Sequence, residues 1–181
     1  MNTETNLIAA CRRGDRVAQL TLYEKYAPRL YPACLRITGS AEDAEEALQD
    51  AFLKAFSHLR TFAGAENFGA WLHKIALRTA IDYTRRQEPA WESLDEKDDF
   101  LDENGGSLAE EEGLHYAVEQ VKAALSLLPA GYRSVLSLYL FEGYDSEEIA
   151  SILGIREESV RSQYLRAKRR LIVEMQKKKG I

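Results

Sequence analysis

Four residues near the C-terminal end are spaced to act together. Ser159, Ser162, Arg166 and Arg169 follow at +3, +7 and +10, which puts them on one face of a helix with Arg161 and Lys168 beside them. Short hydroxyls followed by arginines suit a helix lying in the major groove of DNA, where arginine bonds guanine edges or phosphates. The same face also fits a solvated helix end, because the helix macrodipole favours basic residues there. A second basic set, Lys74, Arg78 and Arg85, is spaced by four and then seven residues. Residues for bond-making chemistry are sparse. His58, His73 and His115 are scattered without partners at ligand spacing, and Gly105-Gly106 lacks the Lys-Ser/Thr of a phosphate loop. Cys11 and Cys34 match no metal-ligand spacing and read as reduced, partly buried thiols. The chain is therefore read as non-enzymatic, with no catalytic residue, no metal, no cofactor and no small-molecule substrate.

A net charge of −5 over 181 residues argues at first against a nucleic-acid binder. Between Glu88 and Glu112, however, eleven acids stand against Lys97 alone, so the remainder of the chain carries +5. That stretch includes Asn104-Gly105-Gly106-Ser107 and little apolar periodicity, the composition of a linker. It divides the sequence into 1–87, a linker over 88–112, and 113–181. The longest apolar run near the start, Leu7 to Cys11, is too short for a signal peptide or a membrane span. A cytoplasmic protein without direct membrane insertion is expected.

The elements that must position these residues all read as helices, so the fold class is all-α, two small helical domains joined by an acidic linker. From Asp15 to Ile37 the residues Leu20, Tyr23, Tyr26, Leu30, Cys34 and Ile37 share one face, and Pro28 and Pro32 predict a kink or break. Ser40 caps the next helix, with Asp43 at the capping-box position. Ala44, Ala47, Leu48, Ala51, Phe52, Ala55, Phe56 and Leu59 form its inner stripe. Its outer face carries Glu42, Glu45, Glu46, Gln49 and Asp50, with Leu53 among them. Asn67 caps a third helix whose core face holds Phe68, Trp71, Leu72, Ile75, Ala76 and Tyr83. His73 is expected to be partly exposed there. In the second half, Leu114 to Leu128 is amphipathic, Pro129 separates it from a following helix, and Gly143 closes that helix. Asp145 and Glu148 make an Asp-x-x-Glu capping box, Ala150 lets a crossing helix approach, and Gly154 sits where the turn needs a positive φ. A helix from about Glu157 then buries Val160, Tyr164, Ala167 and Leu171.

These residues carry a specific resemblance. Leu128-Pro129-Ala130-Gly131-Tyr132-Arg133, Glu142-Gly143-Tyr144, Glu147 to Gly154, and Ser159-Val160-Arg161-Ser162 with Arg166-Ala167 look like sigma region 4. Asp43-Ala44-Glu45-Glu46 with Gln49-Asp50-Ala51-Phe52 resembles region 2.2. Phe68 to Ala76, Ile81-Asp82-Tyr83 and Arg85-Arg86 resemble regions 2.3 and 2.4. Two motif sets in the right order make the chain similar to a bacterial sigma factor of the extracytoplasmic-function (ECF) type. Thr79 and Gln163 depart from the family's usual asparagine and arginine, which bears on the promoter sequence rather than the class.

The resemblance implies roles and partners. Glu46, Gln49, Asp50 and Leu53 would bind the β′ clamp helices of core RNA polymerase; an isolated exposed leucine is also common on proteins that bind nothing there. The loop from Thr61 through Ala63, Gly64 and Glu66 to Asn67 would hold a base flipped out of the −10 element, with Lys74, Arg78, Arg85 and Arg86 on the nearby backbone. Arg156, Ser159, Arg161, Ser162, Gln163, Arg166 and Arg169 would read the −35 element. The implied partners are core RNA polymerase, through its β′ clamp helices and β flap, promoter DNA and an anti-sigma factor. The acidic linker would run through the basic polymerase channels, or serve as a solvated spacer. A conventional helix-turn-helix regulator is the competing reading, and it would not need the acidic and apolar surface over Asp43–Phe52.

Overall fold

The computed structural model describes residues 3–62, 67–87 and 118–178. Among these the chain forms only helices. The first group is α1 (Thr3–Arg12), α2 (Arg16–Thr38), α3 (Ala41–His58) and α4 (Phe68–Gln87). The second is α5 (Val118–Leu125), α6 (Ala130–Leu140), α7 (Ser146–Leu153) and α8 (Glu157–Lys178). The all-α class expected from the periodicity is what forms. The acidic stretch 88–112 lies outside the described residues.

Local chemistry explains the helix ends. The Asp15 carboxylate accepts from Val17 N at 2.9 Å and Ala18 N at 3.1 Å, satisfying donors that α2 cannot pair itself. Gly39, at φ 74°, ends that helix. Ser40 Oγ accepts from Asp43 N at 3.3 Å to start α3. α2 runs through Pro28 and Pro32, so of the expected kink or break the break does not occur. They lie four residues apart and are both exposed, so the lost N–H groups fall on the outer side while the inner face stays continuous. That inner face is Ala18, Leu22, Tyr26, Leu30, Ala33, Cys34 and Ile37. Leu20, expected inside, is 56% exposed.

Alanines at Ala44, Ala47, Ala51 and Ala55 let α3 approach α2 and α4 closely, with Leu48 and Phe52 filling the space between. In the second group, α6 is buried over nine consecutive residues, Ala130 to Leu138, because it has neighbours on all sides. The main core joins the two groups: Leu22, Ile37, Leu72 and Leu77 belong to the same cluster as Val135, Leu138, Ile149, Leu153 and Val160. A second cluster, including Leu125, Tyr132, Leu136, Ala167 and Leu171, fastens α5, α6 and α8 together.

The α7–α8 unit is built as the sequence predicts. Asp145 Oδ1 accepts from Glu148 N at 2.9 Å while Glu148 Oε2 accepts from Asp145 N at 3.0 Å. Gly154 takes φ 66°, and Ile155 N closes back on Ala150 O at 3.2 Å. Both cysteines are free and buried. Among the described residues, no group of three or more His, Cys, Asp or Glu is placed to hold a metal ion.

Candidate nucleic-acid and partner surfaces

The outer face of α3 carries Glu45, Glu46, Gln49 and Asp50, all exposed, with Leu53 67% exposed among them. An apolar side chain this open amid carboxylates is a surface suited to a partner with basic and apolar groups. Glu46 is held in place by the Tyr83 hydroxyl of α4, which donates to it. That hydrogen bond, with some burial, pushes the Tyr83 hydroxyl up to about 12. Beside this face, Tyr23, Ala27, Pro28 and Tyr31 of α2 meet Glu45, Leu48 and Gln49 across an open groove of about 530 Å³.

α4 presents Lys74, Arg78 and Arg86 to solvent. Arg85 is half-buried, and its guanidinium donates to Leu153 O at the end of α7. Thr61 and Asn67 are exposed. Thr61 Oγ1 donates to His58 O at 2.7 Å, and Asn67 Oδ1 accepts from Gly69 N at 2.8 Å to cap α4. Ala63, Gly64 and Glu66 lie outside the described residues. An aromatic cluster secures the two sides of this loop: Phe62 lies 5.0 Å from Trp71 and 5.7 Å from Phe68, ring centre to ring centre. Thr79 is buried and accepts from Lys54 Nζ at 3.3 Å, so its departure from asparagine is met by α3 rather than by solvent.

Arg156, just before α8, is exposed, as are Arg161 and Arg169 on it, while Ser159, Ser162 and Arg166 are half-buried. Gln163 is only 5% exposed, and among the described residues its Oε1 has no hydrogen-bond partner. The inward row of α8 is Val160, Gln163, Ala167, Leu171 and Met175. The seam passes through position 163, and Tyr164, assigned to the core from sequence, is half-buried with its ring 4.4 Å from that of Tyr139. As placed here, Gln163 cannot reach a base edge.

Several residues to which sequence reasoning gave no interface role meet between the two helical groups. Arg133, 6% exposed, donates to Ile37 O at 2.8 Å, Thr38 O at 2.9 Å and Leu128 O at 3.0 Å. The Glu142 carboxylate bonds Arg36 of α2 and lies 2.9 Å from His73 Nε2 of α4. Burial pushes Glu142 up, but the bonds from His73 and Arg36 outweigh it and hold the carboxyl below its ordinary range. His73 is thus engaged across the interface rather than open at a DNA surface. Nearby, Lys74 and Arg78 face Tyr144, Glu147, Glu148, Ser151 and Ile152 across a cleft of about 240 Å³.

Comparison with known proteins fits both groups. Residues 22–89 match the family model of sigma-70 region 2, and residues 118–171 match that of sigma-70 region 4. The chain is 32% identical to RNA polymerase sigma factor SigV of Bacillus subtilis, over 92% of this chain and 96% of that one. It is 31% identical to the ECF RNA polymerase sigma-E factor of Escherichia coli K12, over 92% and 91% of the two chains. The sigma-H factor of Pseudomonas aeruginosa is 29% identical over 91% and 90%. Two solved structures share the fold. The sigma factor RpoE from Bartonella quintana, in complex with the anti-sigma factor NepR, has a TM-score of 0.57 at 22% identity, covering 86% of this chain and 95% of that one. CnrH, in complex with the cytosolic domain of CnrY, has a TM-score of 0.53 at 23% identity, covering 95% and 96%.

Proposed function

The chain belongs to the sigma-70 family, as a sigma factor of the ECF type, and we infer from its surfaces how it divides the work of that family. It binds core RNA polymerase and directs it to promoters to start transcription, and it is not an enzyme.

We assign residues 1–87 to polymerase binding and the −10 element, 88–112 to a connecting acidic linker, and 113–181 to the −35 element. In this reading Glu46, Gln49, Asp50 and Leu53 meet the β′ clamp helices. Thr61, Ala63, Gly64, Glu66 and Asn67 form the pocket for a flipped base, flanked by Lys74, Arg78, Arg85 and Arg86. Arg156, Ser159, Arg161, Ser162, Arg166 and Arg169 face the −35 duplex. Gln163 would join them only if its side chain left the core. Two modest grips on one promoter then combine through the linker into a stronger one. The observation that supports this division best lies in the first helical group. Its α3 turns an acidic and apolar face outward while its α4 turns a basic one, two chemistries that call for different partners.

No helix among the described residues is long and apolar enough to cross a membrane. We place the protein in the cytoplasm, where its polymerase partner works. An anti-sigma partner is proposed by extension from the family, in which the Bartonella quintana RpoE was solved with one.

Reconstitution with core polymerase tests the assignment. Asp50→Lys reverses charge at an exposed site, so it should weaken co-elution with core polymerase while the melting curve stays unchanged. Arg166→Ala should lower promoter-specific transcripts and leave co-elution intact. Wild-type co-elution by Asp50→Lys would remove α3 from the polymerase interface.

A further inference from the structure

The outward face of α3 keeps its charge. Among the described residues, no lysine, arginine or histidine forms an ion pair with Glu42, Asp43, Glu45, Glu46 or Asp50. Several carboxylates elsewhere are held by cations: Glu142 by Arg36, Glu4 by Lys25, and Glu174 by Arg170 and Lys177. What holds the α3 acids is neutral. The Tyr83 hydroxyl of α4 donates to Glu46, and Gln87 Nε2, one turn further on, donates to Asp43 Oδ1 at 3.2 Å. The Tyr83 ring packs against the main core, which anchors the hydroxyl. Lys54 stands one turn after Asp50, at the spacing of a helical ion pair. Its Nζ donates instead to the buried Thr79 hydroxyl of α4, at 3.3 Å.

We propose that α4 readies the acidic face of α3 for polymerase, with Tyr83 as the positioning residue for Glu46. This rests on the assignment of that face to polymerase. A glutamate on a surface helix has several rotatable bonds, and a partner that must order it loses affinity to the freedom removed. A neighbouring cation would order it too, but would offset the charge that a basic partner meets. A phenol anchored by its ring orders the carboxylate and leaves the charge in place. Thr79 serves the same end from the inner side, by drawing Lys54 away from Asp50.

The test uses the full chain and core polymerase without DNA, so that no promoter contact enters. Binding is measured for Tyr83→Phe, Glu46→Ala and the double variant. Tyr83→Phe keeps the ring and its packing, so its melting curve should stay close to the native one. It should weaken binding about threefold to tenfold, the cost of ordering one long side chain on association. In the Glu46→Ala background the same change should cost nothing, because no carboxylate is left to hold. A merely structural role for Tyr83 would weaken binding equally in both backgrounds, and that result overturns the positioning role. Native affinity in Tyr83→Phe alongside weak binding by Glu46→Ala overturns it as well. Native affinity in Glu46→Ala also overturns it, and Asp50→Lys then locates the fault: weak binding leaves α3 as the polymerase face, and native binding removes that assignment too.

Discussion

A buried guanidinium must find an acceptor for each nitrogen it turns inward, and Arg133 finds them on two helix ends. Ile37 O and Thr38 O close α2, and Leu128 O lies just past α5. Carbonyls in the last turn of a helix have no partner within it, and a cation there also suits the macrodipole. Arg133→Ala would leave three carbonyls unpaired inside the protein and should cost about 2–4 kcal/mol in urea unfolding. Gly39 belongs to the same device. Its φ is 74°, and an added Cβ would sit 2.9 Å from Arg133 Cζ. Gly39→Ala therefore strains the backbone and displaces the guanidinium, so the double variant with Arg133→Ala should lose less than the two single losses added together. Gly154 makes the contrast: its φ is 66° with nothing within 4 Å of an added Cβ, so Gly154→Ala should cost only the strain, about 1–2 kcal/mol. The Gly154 turn is readable from sequence because its cause is local. The role of Arg133 is not, since Thr38 and Ile37 lie 95 and 96 residues away from it.

At the scale of the element, each helix follows its apolar stripe and its caps, and the departures have physical causes. The α3 stripe from Ala44 to Ala55 is legible because small and large apolar residues recur at strict helical spacing with acids between them. The α8 stripe is misread at Gln163 because a glutamine carries no apolar signal, while Tyr164 packs against both apolar clusters as read. Burial there is decided by what packs against α8, and the local pattern does not contain that. The prolines of α2 signal a kink or break, and the helix continues through both because they lie on its outer side, where water can pair the carbonyls that lose a partner. Capping is the most transferable signal, and the box at Asp145 and Glu148 forms as read. Asp145→Ala should cost about 1 kcal/mol. It should also speed amide exchange at Glu148, whose N–H loses its acceptor, while exchange in α3 stays as it was. Equal acceleration in both helices would mean that the box stabilises the whole fold rather than the start of α7.

The two helical groups are joined by charges that the sequence keeps far apart. Arg36 and His73 come from the first group and converge on Glu142 of the second, whose side chain is 8% exposed. Arg85 donates to Leu153 O, and Lys74 and Arg78 face Glu147 and Glu148 across the cleft. A DNA phosphate at Lys74 would enter beside those carboxylates, so the packed arrangement opposes nucleic acid at this surface. Its pH dependence follows from Glu142. The carboxyl is held below its ordinary range when packed, so deprotonation favours the packed state. That contribution is complete above the ordinary carboxylate range and is lost as the pH falls through the lower value of the packed state. The distance between a label on α3 and one on α8 should lengthen as the pH is taken down through that range, before helix content by circular dichroism falls. Glu142→Gln removes the titrating carboxyl and keeps its shape, so its label distance should already be longer at neutral pH and should change little on acidification. An equal acid response in Glu142→Gln would assign the opening to other carboxylates and leave Arg133 and the shared apolar core as what holds the halves together.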